Sequence, residues 1–245
     1  MSPTKDGDDV NIPLPGFGSS GNDQPSEPAV PAADAAGRVP IPTLSASGAV
    51  LPRVERTTPG FRSSLFTALT GRPTAEGGGQ DVNSQLITAF GASPRDPSRA
   101  DTAAAARSLG VSQRSVQRWI AGQGISARHR GTVARRARQA MTTKRGRARV
   151  LAQTAGAGRP PGRKGQGLFV GGVQGVTSSV TDNYRDRETG VVLSEADLED
   201  MRQTWAEHGD EGAAAWLHQH WDSHYVGGWH FTEIDDVHWG DTRNY

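Results

Sequence analysis

The sequence predicts a mainly α-helical protein with a helix-turn-helix core, a disordered N-terminal tail and a small α+β part at the C-terminus. Three observations predict it. Residues 1–60 hold ten of the 15 prolines, and their apolar residues follow neither a helix nor a strand period. Residues 102–142 contain successive segments of helical periodicity, the first two preceded by a capping residue. Residues 194–245 combine a capped amphipathic stretch with a short alternating run around Trp229 and Phe231. The chain divides accordingly into 1–60 (tail), 61–153 (helical), 154–193 (basic loop) and 194–245 (acidic, α+β).

Composition supports a partly packed chain. Of 245 residues, 34% are hydrophobic and 6% aromatic, which is little core for the length. The absence of cysteine excludes a disulfide framework and a thiolate metal site. No stretch approaches the roughly 20 apolar residues needed to cross a bilayer. The opening MSPTKDGDDV lacks the charged-then-apolar layout of a signal peptide. The expectation is a soluble cytoplasmic protein with no membrane partner.

The elements follow in order. RSSLFTALT (62–70) predicts a short amphipathic helix ended by Gly71 and Pro73. In DVNSQLITAFG (81–91), Val82, Leu86, Ile87 and Phe90 share one helical face behind an Asp or Asn cap. Asp101 or Thr102 caps a helix over 102–108. Leu109-Gly110 then makes a tight turn, and Ser112 caps a second helix over 113–121. Ala105, Leu109, Val111, Val116 and Ile120 would face inward, with Trp119 partly core and partly a wedge. A further helix is expected from 129 to 142, or beyond. TAGAGRPPGRKGQG (154–167) reads as a flexible basic loop, and it lacks the strand–GxxxxGK[ST]–helix order of a P-loop. Val191–Leu193 reads as a short strand or a helix lead-in. Ser194 with Asp197 approximates a capping box for a helix over 195–207, and 210–221 forms another. The last segment, YVGGWHFTEIDDVHW, reads as a β-ribbon or an extended closing segment.

A net charge of +1 conceals a strong segregation. Thr102 to Thr181 contains 15 Lys and Arg and no acid, whereas Asp182 to the C-terminus holds 15 acids and four arginines. Such a basic block neutralises phosphates and releases counterions from nucleic acid. The helix pair at 102–121 suits DNA recognition, with Gln113, Arg114, Gln117 and Arg118 pointing outward near the start of the second helix. Ser112 and Ser115 accompany them. Arg135, Arg136, Arg138, Lys144, Arg145, Arg147 and Arg149 supply phosphate contacts. The plain alternative is a solvated charged helix, which is weakened by the lack of acids to pair with.

Other constellations are less specific. His218, His220 and His224 with Asp222 hint at a metal, but His-x-His spacing does not place both rings on one helix face, so a packed or exposed amphipathic helix is expected. The pairs Glu199-Asp200 and Asp235-Asp236 lack an apolar frame that would shift a pKa. The hydroxyl cluster Thr177, Ser178, Ser179 and Thr181 closes the acid-free run. By itself it is an ordinary Ser/Thr-rich loop.

The order of these segments resembles the terminal protein family that protects the telomeres of actinobacterial (Streptomyces-type) linear chromosomes and plasmids. The run Leu109-Gly110-Val111-Ser112-Gln113-Arg114-Ser115-Val116-Gln117-Arg118-Trp119-Ile120-Ala121-Gly122-Gln123 is similar to the family's L-G-I-S-Q-R-T-V-E-R-Y-V-K-G-Q. Ser179-Val180-Thr181-Asp182-Asn183-Tyr184-Arg185-Asp186-Arg187 resembles its G-T-T-D-x-x-R-x-R. Val191–Ser194 resembles its V-A-L-P, and Phe231–Trp239 its closing F-T-D-I-E-H-L-E-F. The likeness spans roughly residues 62–240. Departures are the long N-terminal extension, the poorly matching Gly-rich stretch before the helix-turn-helix, and Val180 in place of the first Thr.

What the resemblance implies is protein-primed end patching. A hydroxyl receives the first deoxynucleotide, a DNA polymerase extends it, and the protein stays on the DNA 5′ end. The acceptor falls on Thr181, with Ser179 as a fallback, and 154–193 becomes the priming segment. Asp182 would orient the hydroxyl, and Arg185 and Arg187 would hold phosphates. No intrinsic cofactor or metal is expected. Mg²⁺ and the deoxynucleotide belong to the partner polymerase. Further implied partners are telomeric DNA, as a single-stranded 3′ overhang or folded end, and a telomere-associated helper protein, with the protein on the nucleoid. The rivals are a non-covalent helix-turn-helix regulator or segregation protein, and a self-sufficient nucleotidyl transferase, for which no nucleotide site is recognisable.

Overall fold

The computed structural model describes residues 54–74, 81–156, 166–176 and 183–242. Most of the expected tail, much of the basic loop, and Ser179, Thr181 and Asp182 lie outside the described residues. Seven helices and eight strands occur among those described.

The smaller of two hydrophobic cores is built locally. Helix α2 (Val82–Phe90) starts at Asp81, whose carboxylate accepts from Ser84 N at 2.7 Å. A hairpin of β2 (Ala92–Ser93) and β3 (Asp96–Ala100) follows. Asn83 ties it to α2, donating from Nδ2 to Ser98 O (2.8 Å) and accepting from Ala100 N (2.9 Å). Helices α3 (Thr102–Leu109), α4 (Gln113–Ile120) and α5 (Ala127–Thr142) complete the unit. Leu86, Ile87, Phe90, Ala105, Val116, Trp119, Val133 and Ala137 form its interior.

The larger core joins both ends of the described chain. Helix α1 (Pro59–Thr70) and the long helix α7 (Glu195–His224) pack on a four-stranded antiparallel sheet, and helix α6 (Lys144–Gly156) packs against α1 and α7. Its central strand is β4 (Gln166–Val176). On one side β4 pairs with β5 (Arg185–Val191), from Leu168↔Val191 to Gln174↔Arg185. On the other it pairs with β8 (Asp236–Asp241) and then with β6 (Trp229–Phe231). A separate two-stranded parallel sheet pairs β1 (Arg56–Thr57) with β7 (Glu233–Ile234). Phe61, Leu65, Phe66, Leu168, Met201, Trp205, Leu217, Trp221 and Phe231 are fully buried between these elements.

Helix α5 belongs to both cores. Val133 and Ala137 face the smaller one, whereas Ala140 and Met141, one turn on, enter the larger. Helical spacing of 3.6 residues makes this a single continuous stripe.

The structure revises the expected partition. Sequence patterning groups α1 and α6 with the central helices, yet both pack in the larger core with α7 and the sheet. The strands are not confined to a small C-terminal part, because residues expected as loop include β4 and β5. The glycines of β4 disguise it. At Gly172 (φ 142°) an added Cβ would lie 2.2 Å from Glu233 O, so the position admits no side chain where the β7 segment crosses. The two helices expected at 195–207 and 210–221 run together, with a break in backbone geometry at Gly209. Ser194 and Asp197 form the expected capping box at its start.

A polar network crosses the sheet. Gln174 Nε2 donates to Val170 O (2.8 Å) and Arg187 O (2.7 Å). Its Oε1 accepts from Thr189 Oγ1 (2.7 Å) and Trp229 Nε1 (3.1 Å), and Thr189 Oγ1 accepts from Trp221 Nε1 (2.8 Å). Every polar atom of the buried Gln174 amide has a partner, as an interior position requires.

Candidate nucleic-acid interface

The geometry of the α3–α4 pair follows from its caps and its turn. Asp101 accepts from Ala103 N (3.0 Å) and Ala104 N (2.9 Å), which starts α3. Gly110 ends it in the left-handed region (φ 68°, ψ 33°), a conformation that glycine adopts without Cβ strain. Ser112 Oγ accepts from Ser115 N at 3.1 Å and starts α4. Only residues 110–112 separate the helices. Val116 and Trp119 anchor α4 in the smaller core, with Ile120 partly buried beside them.

This packing leaves Arg114, Gln117 and Arg118 exposed on the opposite face of α4. Neither arginine forms an ion pair with a described acid. The other candidate side chains on α4 are engaged within the fold. Gln113 donates from Nε2 to Thr102 Oγ1 (2.9 Å), linking the starts of α3 and α4. Ser112 and Ser115 lie with their hydroxyls 2.9 Å apart in the cap. Trp119 is buried and packs against the His129 ring at 5.0 Å, so it is a core residue and not the partial wedge expected.

The basic residues after α4 separate into two groups. On α5, Arg135 and Arg138 are exposed opposite the Val133–Ala137 stripe, and Arg136 is half-buried at its border. On α6, Arg145 and Arg149 are exposed, while Lys144 is exposed but pairs with Glu207 of α7. Arg147 departs from the expectation of a phosphate contact. It is buried, donates from Nε and Nη2 to Ala206 O (3.3 and 3.2 Å), and lies over the Trp205 ring at 5.8 Å. Burial lowers its pKa, opposed by Asp210 and Glu207. Its helical position, three residues before buried Val150, turns it inward.

Several exposed arginines were not singled out from the sequence. Arg107 lies in the last turn of α3, and Arg128 and Arg130 lie in the first turn of α5. Their signal was the acid-free run, which did not distinguish inward from outward positions.

The remaining predicted residues lie on the sheet. Arg185 is exposed at the start of β5. Arg187 is half-buried, donates from Nη2 to Asn183 O (2.9 Å), and sits over the Trp229 ring at 5.5 Å. The histidines of α7 form packed contacts. His218 Nε2 lies 3.1 Å from His230 Nδ1, and His220 stacks between Trp216 (4.6 Å) and His224 (4.1 Å). Burial, then the neighbouring histidine, pushes His218 and His220 each down to about 4. No group of three or more metal-ligating side chains occurs among the described residues. No described helix is long and apolar enough to cross a membrane. No family model, curated protein or solved structure matches the chain.

Proposed function

We propose that α3, the 110–112 turn and α4 form a helix-turn-helix and that the protein is a DNA terminal protein of a linear replicon. The observation that carries DNA binding is the exposed α4 face of Arg114, Gln117 and Arg118, free of described acids. Arginine and glutamine can form paired hydrogen bonds with guanine and adenine edges. Arg135, Arg138, Arg145 and Arg149 supply sequence-independent contacts to phosphate. The priming role rests on the sequence resemblance at Thr181 and the segments flanking it. Thr181 accepts the first deoxynucleotide from a partner DNA polymerase, which supplies Mg²⁺. The attacking hydroxyl oxygen bonds to the α-phosphorus, pyrophosphate leaves, and the hydroxyl proton passes to a base or solvent. Arg185 and Arg187 attract the phosphates of nucleotide or template. A telomere-associated helper protein and a nucleoid location complete this reading.

The binding half is tested by titrating full-length protein with telomeric DNA at several salt concentrations. Arg114→Ala/Arg118→Ala is expected to weaken binding and lower the salt slope by about 0.9 for each phosphate that is no longer neutralised. An unchanged slope and affinity would remove α4 from the interface. Tight, palindrome-specific binding by a dimer without covalent nucleotide would favour the regulator or segregation reading.

A further inference from the structure

The end of the sheet farthest from Val191 carries a cluster that the α4 reading does not use. Tyr225, at the end of α7, is the only exposed Phe, Tyr or Trp side chain among the described residues, at 42% exposure. Its ring meets Trp229 edge-on, with centroids 4.7 Å apart and planes at 76°. Trp229 is buried and fixed by its bond to Gln174. The Arg187 guanidinium lies over the same indole, and its buried Nε has no hydrogen-bond partner among the described residues. Arg185, two residues earlier on the same face of β5, is exposed. Asp222, the nearby acid on α7, accepts from Gly228 N and so holds the turn after Tyr225.

We propose that this cluster is a second nucleic-acid site, which takes a single DNA strand by stacking a base on Tyr225 and neutralising its backbone with Arg185 and Arg187. The chemistry matches single-strand recognition, where aromatic faces accept any base and arginines follow the phosphates. A tyrosine mounted on a fixed indole loses little freedom on stacking. The outer ring of such a pair is available to a base, whereas duplex DNA keeps its bases stacked on one another. The site is distinct from the α4 surface and is tested separately from it, although it shares Arg185 and Arg187 with the proposed priming role.

The test uses the full-length protein with a mixed-sequence single strand and with the matching duplex. Tyr225→Ala is expected to weaken single-strand binding about tenfold, while duplex affinity stays at the wild-type value. Tyr225→Phe, which keeps the ring, restores binding. In a second measurement, a strand containing 5-iodouracil is irradiated with the wild-type protein and the crosslinked peptides are sequenced. Crosslinks at Tyr225 support the site. Equal single-strand affinity for wild type and Tyr225→Ala overturns it, as do crosslinks confined to α4 and α5. Loss of duplex binding in Arg114→Ala/Arg118→Ala without loss of the Tyr225 crosslink separates the two surfaces.

Discussion

Replacing Arg147 by alanine distinguishes a buried structural cation from a phosphate contact. In the folded protein its guanidinium makes two donations to a single acceptor, Ala206 O, and a longer one to Met141 O at 3.5 Å. A hydrogen bond from a charged donor contributes about 1.5–3 kcal/mol. Contact with the Trp205 face adds about 0.5–1 kcal/mol. Burying the aliphatic stem adds about 0.8 kcal/mol per methylene. Desolvation of the charge opposes all three, and it is the leading cause of the lowered pKa. The net cost of Arg147→Ala is therefore about 2–4 kcal/mol, well below the simple sum of these contributions. For a chain of this size that is a fall in Tm of roughly 5–15 °C. Arg147→Met, which keeps much of the stem, should recover about half of the loss. Thermal melts followed by circular dichroism read the effect, and DNA titrations in parallel read the salt slope. Arg147→Ala should leave the slope unchanged. Arg145→Ala and Arg149→Ala should each lower it by about 0.9 while changing stability by less than about 0.5 kcal/mol. A variant at Arg147 that melts with the wild type and loses one unit of slope would refute this assignment.

Other outcomes follow from the same structure. Gln174→Leu leaves Trp229 Nε1 and the Thr189 hydroxyl short of partners in the core, so it should cost about 2–4 kcal/mol in urea unfolding; a loss below about 0.5 kcal/mol would contradict the network. His218 and His220 stay neutral in the folded protein down to about pH 4, but protonate near 6.5 once unfolded. The unfolded chain then binds more protons between those values, so stability should fall as pH drops from about 6.5 to 4, and exchanging both residues for Gln should flatten that slope. On α4, Gln117→Ala should relax base preference at one position of the DNA site, at a cost of about 1–3 kcal/mol, in a binding-site selection; unaltered preference would exclude Gln117 from base contact.

What was legible in the sequence is what local rules control. Asp81, Asp101 and Ser112 start their helices as expected, because a cap and the amides it satisfies lie within three residues. The outward face of α4 follows from the positions of Val116 and Ile120. Long-range contacts decided the rest. The glycines of β4 lower its strand propensity, yet Gly172 is required because another backbone passes over it. Helix α6 has too little apolar asymmetry to reveal its partner, and only the folded contacts place Val150 with Trp205 in the larger core. Arg147 is chemically the same as Arg145 and Arg149, so composition could not tell a residue buried against α7 from its exposed neighbours. Gln174 gave no signal, since three of its four partners come from two other strands, Arg187 and Thr189 from β5 and Trp229 from β6.

The central claim is the proposal that this protein is itself the primer. Purified full-length protein, labelled deoxynucleotide, telomeric single strand, Mg²⁺ and a host extract as the source of polymerase are incubated and resolved on a denaturing gel. The account predicts label that remains with the protein after denaturation and disappears in Thr181→Val. The same label on Thr181→Val would move the acceptor to Ser179 or another hydroxyl. No label on the wild-type protein, with DNA binding intact, would contradict priming and leave a non-covalent DNA-binding protein.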